Sequence, residues 1–376
     1  MRTCFRRVGV CGAMGVLALA PMFLGVRTSA QQQRGPSPAD LLVSGRSFEQ
    51  PQPSAYPLEV PADLGAEILP VFGNVYMIAR PTGNIVVQVG RDGVFLVDSG
   101  SEAVAEKTLQ AIRIITNGRI EYILNTTPDR DWYGGNDKVS AAGRNPTVNP
   151  GNLAGPVVRL GDAPAGRGGG GGIQRTQGAI IMSHENLLNR ISAPTGVAAS
   201  EKVEFWPTNT FFTARKSLWY NDEPVEIIHE PGAHTDGDVM AFFRHSDVIA
   251  AGPIIDTLAY PVPDAKRGGS IAGILKGLND IIDIAVPKYN QQGGTRIAPG
   301  RGRILNEADV VEYRDMMTII RNRVKDGVDK GLTLQQVQAT GPTLEYDPLY
   351  STPKLTGQQL VETIYTDLKG ATPARR

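Results

Sequence analysis

Residues 125–136 read NTTPDRDWYGGN. An apolar run, Tyr122-Ile123-Leu124, leads into this stretch, and a helix-like run follows it. The change of pattern predicts a strand, then a loop carrying Asp129 and Asp131, then a helix. Gly134-Gly135 closes the loop.

The segments on either side repeat this alternation. Upstream, Ile68 to Phe72, Val75 to Ile78 and Ile85 to Val89 are short apolar runs split by Gly, Pro and Asn, as in strands. Arg91-Asp92-Gly93 signals a hairpin turn into a fourth strand, Val94 to Val97, which ends in Asp98-Ser99-Gly100. Ser101 is expected to cap a helix with Ala105, Leu109 and Ile112 on one face, stopped by Asn117-Gly118. Downstream, Ala179 to Met182 predicts a strand, with His184 at the helix start after it. Val225 to Ile228, Val239 to Phe243 and Val248 to Ala251 predict three more. Spacing of Ile274, Leu278, Ile281, Ile282 and Ala285 predicts a helix over 270–286. Asn306 and Asp309 form a capping-box start for a helix striped by Val310, Tyr313, Met317, Ile320 and Val324, ending near Gly327. Two short helices, near 333–339 and 356–368, follow. Strands followed by helices, twice over and without a long linker between the halves, predict an α/β (α+β) fold: two mixed β-sheets in one sandwich, flanked by helices.

The termini and the bulk composition narrow the function. Residues 1–30 carry Arg2, Arg6 and Arg7, then a largely apolar run from Val8 to Val26, then the small residues Thr28-Ser29-Ala30. That pattern predicts an export signal, and the glycines within the run favour its cleavage over a permanent membrane helix. The protein is therefore expected to be periplasmic or extracellular in a bacterium, with membrane attachment only through an uncleaved signal. Cys4 and Cys11 both lie in the signal, so the mature chain has neither disulfides nor thiolate ligands. Lys plus Arg and Asp plus Glu number 38 each, and loss of residues 1–30 leaves a balance of −4. No basic footprint for nucleic acid is present. Residues 31–65 are expected to be a flexible arm, 66–328 the folded domain, 161–172 (GDAPAGRGGGGG) a glycine-rich insertion loop, and 329–376 a C-terminal helical extension.

The order of these landmarks resembles the metallo-β-lactamase-fold hydrolases, over roughly residues 66–325. That family's loop is Thr-His-x-His-x-Asp-His-x-Gly-Gly. Here Thr126, Asp131 and both glycines match, while Thr127, Asp129 and Trp132 stand where histidines are expected. Asp98 in LVDSG matches a strand-end Asp that supports the loop from behind. PGAHTDGD, 231–238, places His234 on a ligand histidine. VIAAGPIID, 248–256, puts Pro253 where a bridging Asp belongs, and Asp256 is three residues off that position. IAPGRG, 297–302, replaces the last ligand histidine by Arg301. The tail after residue 325 resembles that of exported bacterial members.

The resemblance implies an ancestral two-metal site of five histidines and two aspartates. Only Asp131 and His234 keep the expected residue type, and Thr127, Trp132, Pro253 and Arg301 do not. Catalytic zinc requires about three good protein ligands, and an arginine repels a cation. The Arg301 guanidinium is expected to pair Asp131, Asp129 or both in the metal's place. No cofactor is then expected, and the metal-activated water of the family is lost. Asp131 and His234 are the catalytic candidates as an acid–base dyad. No Gly-x-Ser-x-Gly or mature cysteine offers a nucleophile instead. Bland roles compete: a capping Asp131, a loop-bonding His234, a solvated Asp129, a packing Trp132, and turn chemistry for Asp236 and Asp238. The reading is an exported, degenerate hydrolase homologue that binds a small anionic or aromatic molecule in a cleft lined by Trp132, Tyr133 and Arg301. The alternative is a hydrolase of esters, thioesters or lactams with one zinc, iron or manganese on Asp129, Asp131 and His234. A third option is a partner subunit of an envelope complex.

Overall fold

The computed structural model describes residues 58–146, 178–192, 198–290 and 293–371. The expected signal, most of the arm and the glycine-rich 161–172 lie outside these residues. Among the described residues, twelve strands form two mixed sheets. The first holds β1 (Glu67–Phe72), β2 (Val75–Ala79), β3 (Ile85–Val89), β4 (Val94–Val97), β5 (Ile120–Leu124), β6 (Ile180–His184) and β7 (Asn209–Phe211), in that order. Pairing is antiparallel from β1 to β4 and parallel from β4 to β7. The second runs β12 (Arg296–Arg301), β11 (Val248–Asp256), β10 (Val239–Phe243), β9 (Glu223–His229), β8 (Arg215–Tyr220). There β11 and β12 are parallel and the other pairs antiparallel.

Alternation along the strands sorts the side chains into three apolar layers. Met77, Val86, Phe95 and Val97 of the first sheet meet Val225, Ile227, Ala241 and Phe243 of the second. Phe95 and Phe243 pack edge to face at 5.9 Å between centroids, a geometry that suits the ring quadrupoles. On the outer face of the first sheet, Ile78, Val87 and Leu96 bury the apolar side of α1 (Ala105–Ile115). Ser101 precedes that helix, but its hydroxyl makes no capping bond.

Short helices α2 (Arg130–Tyr133) and α3 (Asn136–Ala141) follow β5, and α4 (Glu185–Ile191) follows β6. The outer face of the second sheet is covered by α5 (Ile271–Ile284) and α6 (Glu307–Asp329). The α6 start is a full capping box between Asn306 and Asp309, and all five residues of its expected stripe are buried. The helix runs on to Asp329, two residues past Gly327. Helices α7 (Leu334–Ala339), α8 (Asp347–Tyr350) and α9 (Gly357–Ala371) complete this layer. Val337, Leu360, Val361 and Ile364, from the expected extension, are buried in the same core as α5 and α6. At the other end, residues 58–65 of the expected arm pack too, with Leu64 buried and Leu58 and Val60 against its cluster. Among the described residues no helix is long and apolar enough to cross a membrane.

Candidate functional site

Strands β5, β11 and β12 deliver their C-terminal ends to one edge of the sandwich, and the loops there enclose a cleft of about 820 Å³. Asp129, Asp131 and Trp132 from the 125–136 loop line it, with His234, Asp256 and Arg301.

The 125–136 loop is held from below. Asp98, at the end of β4, adopts φ 66°. Its carboxylate accepts bonds from the Thr126 amide at 2.8 Å and the Thr126 hydroxyl at 2.7 Å. Burial pushes the Asp98 carboxyl up to about 7, against the pull of those two donors. Gly135 allows the loop's far end to dock: a Cβ there would sit 2.5 Å from the Ser99 carbonyl oxygen. The Gly135 amide donates to the Gly100 carbonyl at 2.8 Å.

Asp129 and Asp131 diverge. Asp129 occupies the N-cap position of α2, where Asp131 was a capping candidate, and its side chain makes no cap bond. Its Oδ2 accepts instead from His234 Nε2 at 2.7 Å, and its Oδ1 pairs with the Arg267 guanidinium. Arg267 also donates to Asp264 at 2.7 Å and to the Pro128 carbonyl at 2.8 Å. Burial alone would raise the Asp129 carboxyl, but the His234 and Arg267 contacts outweigh it and hold it below its ordinary value.

His234 is held between two oxygen atoms. Its Nδ1 lies 2.7 Å from the Val262 carbonyl oxygen, and its Nε2 faces the Asp129 carboxylate. Both partners are acceptors, and only the imidazolium has two N–H groups to donate. Burial would lower its pKa, but Asp129 and Asp238 raise it. Asp238 closes the turn as expected from its type, accepting from the Thr235 amide and hydroxyl at 2.7 and 2.6 Å. Burial pushes that carboxyl up to about 6.

Arg301 pairs with Asp131 and with Asp256, each at 3.4 Å, and donates from Nε to the Thr82 carbonyl at 3.2 Å. Its partner is therefore one of the two carboxylates expected, and Asp129 has other partners. Asp256 lines the cleft at the end of β11, beyond the register irregularities on either side of Gly252. Trp132 is 4% exposed, and the Arg301 guanidinium lies 5.6 Å from its ring.

Tyr133 is not a cleft residue. One step further along α2 it points to the opposite side, where it packs on Phe205 and its hydroxyl donates to Glu201 at 3.1 Å. His184 stands at the α4 N-cap and accepts from the Asn186 amide at 3.3 Å. Its ring stacks on His229 at 3.6 Å. Two participants escaped the sequence reading. Arg267 ends a short 3₁₀ turn (Ala265–Arg267) after β11, and Lys354 comes from the C-terminal segment. Asp264-x-x-Arg267 ahead of Gly268-Gly269 is the one local signal of an ordered turn.

As arranged, these side chains do not fit a metal ion. A ligand imidazole must present a lone pair, and both His234 nitrogens face acceptors. Asp129 is held between an imidazolium and a guanidinium. Among the described residues, no three His, Cys, Asp or Glu side chains gather where they would hold a metal.

The histidines give a direct check. By NMR titration, His234 is expected to lose its proton above the ordinary value of about 6.5. His184 and His229 are expected to titrate below it. Burial lowers both, and for His184, to about 4, the stacked His229 adds to burial. The linked stability follows in sign. The His234 contribution is full below about pH 6.5 and is lost as pH rises through its raised folded value. The Asp129 contribution is full above about pH 4 and is lost as pH falls through its lowered value. A His234 that is neutral at pH 6 would overturn this description of the site.

No family model and no curated protein matches this chain. Solved structures do match. A double mutant of the sec-alkyl sulfatase PisA1 superposes with a TM-score of 0.52 at 12% identity, covering 82% of this chain and 51% of that one. The stereoselective inverting sec-alkylsulfatase Pisa1 from Pseudomonas sp. gives 0.50 at 14% identity, again over 82% and 51%. A metallo-β-lactamase from Pontibacter korlensis aligns at 12% identity over 67% of this chain and 99% of its own, with a TM-score of 0.46. The chain spans about half the length of the alkylsulfatase it matches. Two mixed sheets packed face to face between helical layers, shared with that enzyme, give this chain the metallo-β-lactamase-like four-layer fold.

Proposed function

We propose that this is an exported protein of hydrolase ancestry whose cleft binds a small molecule without a metal ion. The ancestry rests on the shared fold, and export rests on the pattern of residues 1–30. The observation that carries the reading is the His234–Asp129–Arg267 cluster. A carboxylate that would face a cation in a metal site is neutralised here by two organic cations. Water in this cleft then has no Lewis acid to lower its pKa. The same contact counts against one metal on Asp129, Asp131 and His234, since the Asp129–His234 bond would have to break first.

Elemental analysis of the as-purified mature protein tests this. Zinc, iron and manganese are expected at well under one equivalent per chain. Two tightly held ions per chain would overturn the proposal. So would ester or lactam hydrolysis that is abolished both by a chelator and by His234→Ala.

A further inference from the structure

Two guanidiniums serve this site, and they differ in how firmly they are held. Arg267 is saturated by Asp264, Asp129 and the Pro128 carbonyl. Arg301 makes three long contacts, at 3.2 to 3.4 Å, where charge-assisted bonds usually lie near 2.7–2.9 Å. Neither carboxylate holds it strongly. Asp131 is 59% exposed, so water solvates it once it is released. Asp256 accepts from the Leu258 and Ala259 amides at 2.8 and 3.2 Å through Oδ1, so its contact with Arg301, through Oδ2, is one of three that it makes. The Trp132 ring meanwhile braces the guanidinium.

The rest of the cleft is complementary to a particular chemistry. Lys354 lines it, and its ammonium makes no ion pair among the described residues. Among the cationic side chains that line it, Arg130 is paired with Glu102 and Glu201 and His234 with Asp129, which leaves Arg301 and Lys354 to meet an anion. Beside them runs an apolar wall that includes Ile255, Leu258, Pro261, Val262 and Leu355. Leu258 is 50% exposed, a large apolar side chain left at the cleft rim.

Building on the metal-free reading, we infer that the cleft binds a small monocarboxylate with an apolar body, its carboxylate on Arg301 and Lys354 and its body along the Leu258–Leu355 wall. On binding, the Arg301 guanidinium exchanges its long contact with Asp131 for the ligand carboxylate, and Asp131 is released to water. The guanidinium fork matches a carboxylate in geometry, whereas Lys354 contributes as a point charge.

Calorimetry on the as-purified mature protein tests the inference, with octanoate as probe and octanol and octylamine as controls of equal tail length. Octanoate is expected to bind at least about tenfold more tightly than either control, the usual worth of a hydrogen bond to a charged group. Arg301→Gln is expected to remove about that factor, and Arg301→Lys to recover part of it. Lys354→Gln, on an exposed side chain, is expected to cost about threefold and leaves the fold untouched whatever the Arg301 variants do. Equal affinity for octanoate and octanol would overturn the inference, as would no binding at all, while leaving the metal-free reading in place. Octanoate binding that vanishes with a chelator and ignores Arg301→Gln would bring down both.

Discussion

Asp129→Asn is expected to destabilise the protein by about 3–5 kcal/mol, the range for removing one partner of a buried ion pair. The side chain is 25% exposed and sits between two cations, Arg267 and the His234 imidazolium. An amide there keeps the volume and removes the charge, so two positive groups face each other across the gap. His234 is then expected to shed its proton at a lower pH, because the carboxylate that raised its pKa is gone. Asp131→Asn is the control. That carboxylate is mostly exposed and only loosely paired, so its loss is expected to cost less than about 1 kcal/mol. Adding Arg267→Met to Asp129→Asn is expected to restore part of the loss, since one of the two unbalanced cations is removed. Denaturant midpoints for the four proteins make the comparison. Equal, small losses for Asp129→Asn and Asp131→Asn would mean that Asp129 is not held between two cations.

The contrast between these two aspartates shows what a sequence can and cannot carry. The loop holding them was legible because strand, loop and helix are local patterns. Val94 to Val97 and Val239 to Phe243 are continuous apolar runs, and both are buried along their whole length. The α6 stripe was legible for the same reason. Strand β8 escaped because it is a sheet edge whose first three residues, Arg215, Lys216 and Ser217, are all polar, so that no apolar alternation shows. Strand β7 has three residues, too few for a period to show. At the site, Arg301 was marked by a short motif at the end of its own strand. Asp131 was among its expected partners, but the second partner, and the cation that pairs with Asp129, were harder to read. Asp256 follows register irregularities in β11, and Arg267 reaches Asp129 from a 3₁₀ turn distant in sequence. Both depend on the tertiary path of the chain, which periodicity does not encode. Tyr133 misled because neighbours on a one-turn helix point to different sides, so that Trp132 lines the cleft and Tyr133 the far cluster.

The His234 loop makes the second large prediction, this one about backbone approach. Residues 230–238 lie directly on the first turn of α5. Ser270, the N-cap, donates its amide to the Gly232 carbonyl at 2.9 Å, and its side chain accepts from the Gly273 amide at 2.9 Å. A Cβ added at Gly273 would fall 1.7 Å from the Gly232 carbonyl oxygen and 2.8 Å from the Ala233 nitrogen. Those are backbone atoms and cannot swing aside, so the loop or the helix has to move. Gly273→Ala is therefore expected to cost at least about 3 kcal/mol, although alanine favours a helix over glycine by about 1 kcal/mol. The displacement passes to His234 itself, whose carbonyl accepts from the Asp264 amide at 2.7 Å just ahead of Arg267. The His234–Asp129 bond should loosen with it, and the His234 pKa should fall back toward its ordinary value. Gly370→Ala serves as the counterpart. It sits in α9 with no heavy atom within 4 Å of its added Cβ, so stability there should hold or rise slightly. If both glycine variants unfold at the same denaturant concentration as the parent, the loop is not seated on α5. The alignment of His234 against Asp129 would then need another support.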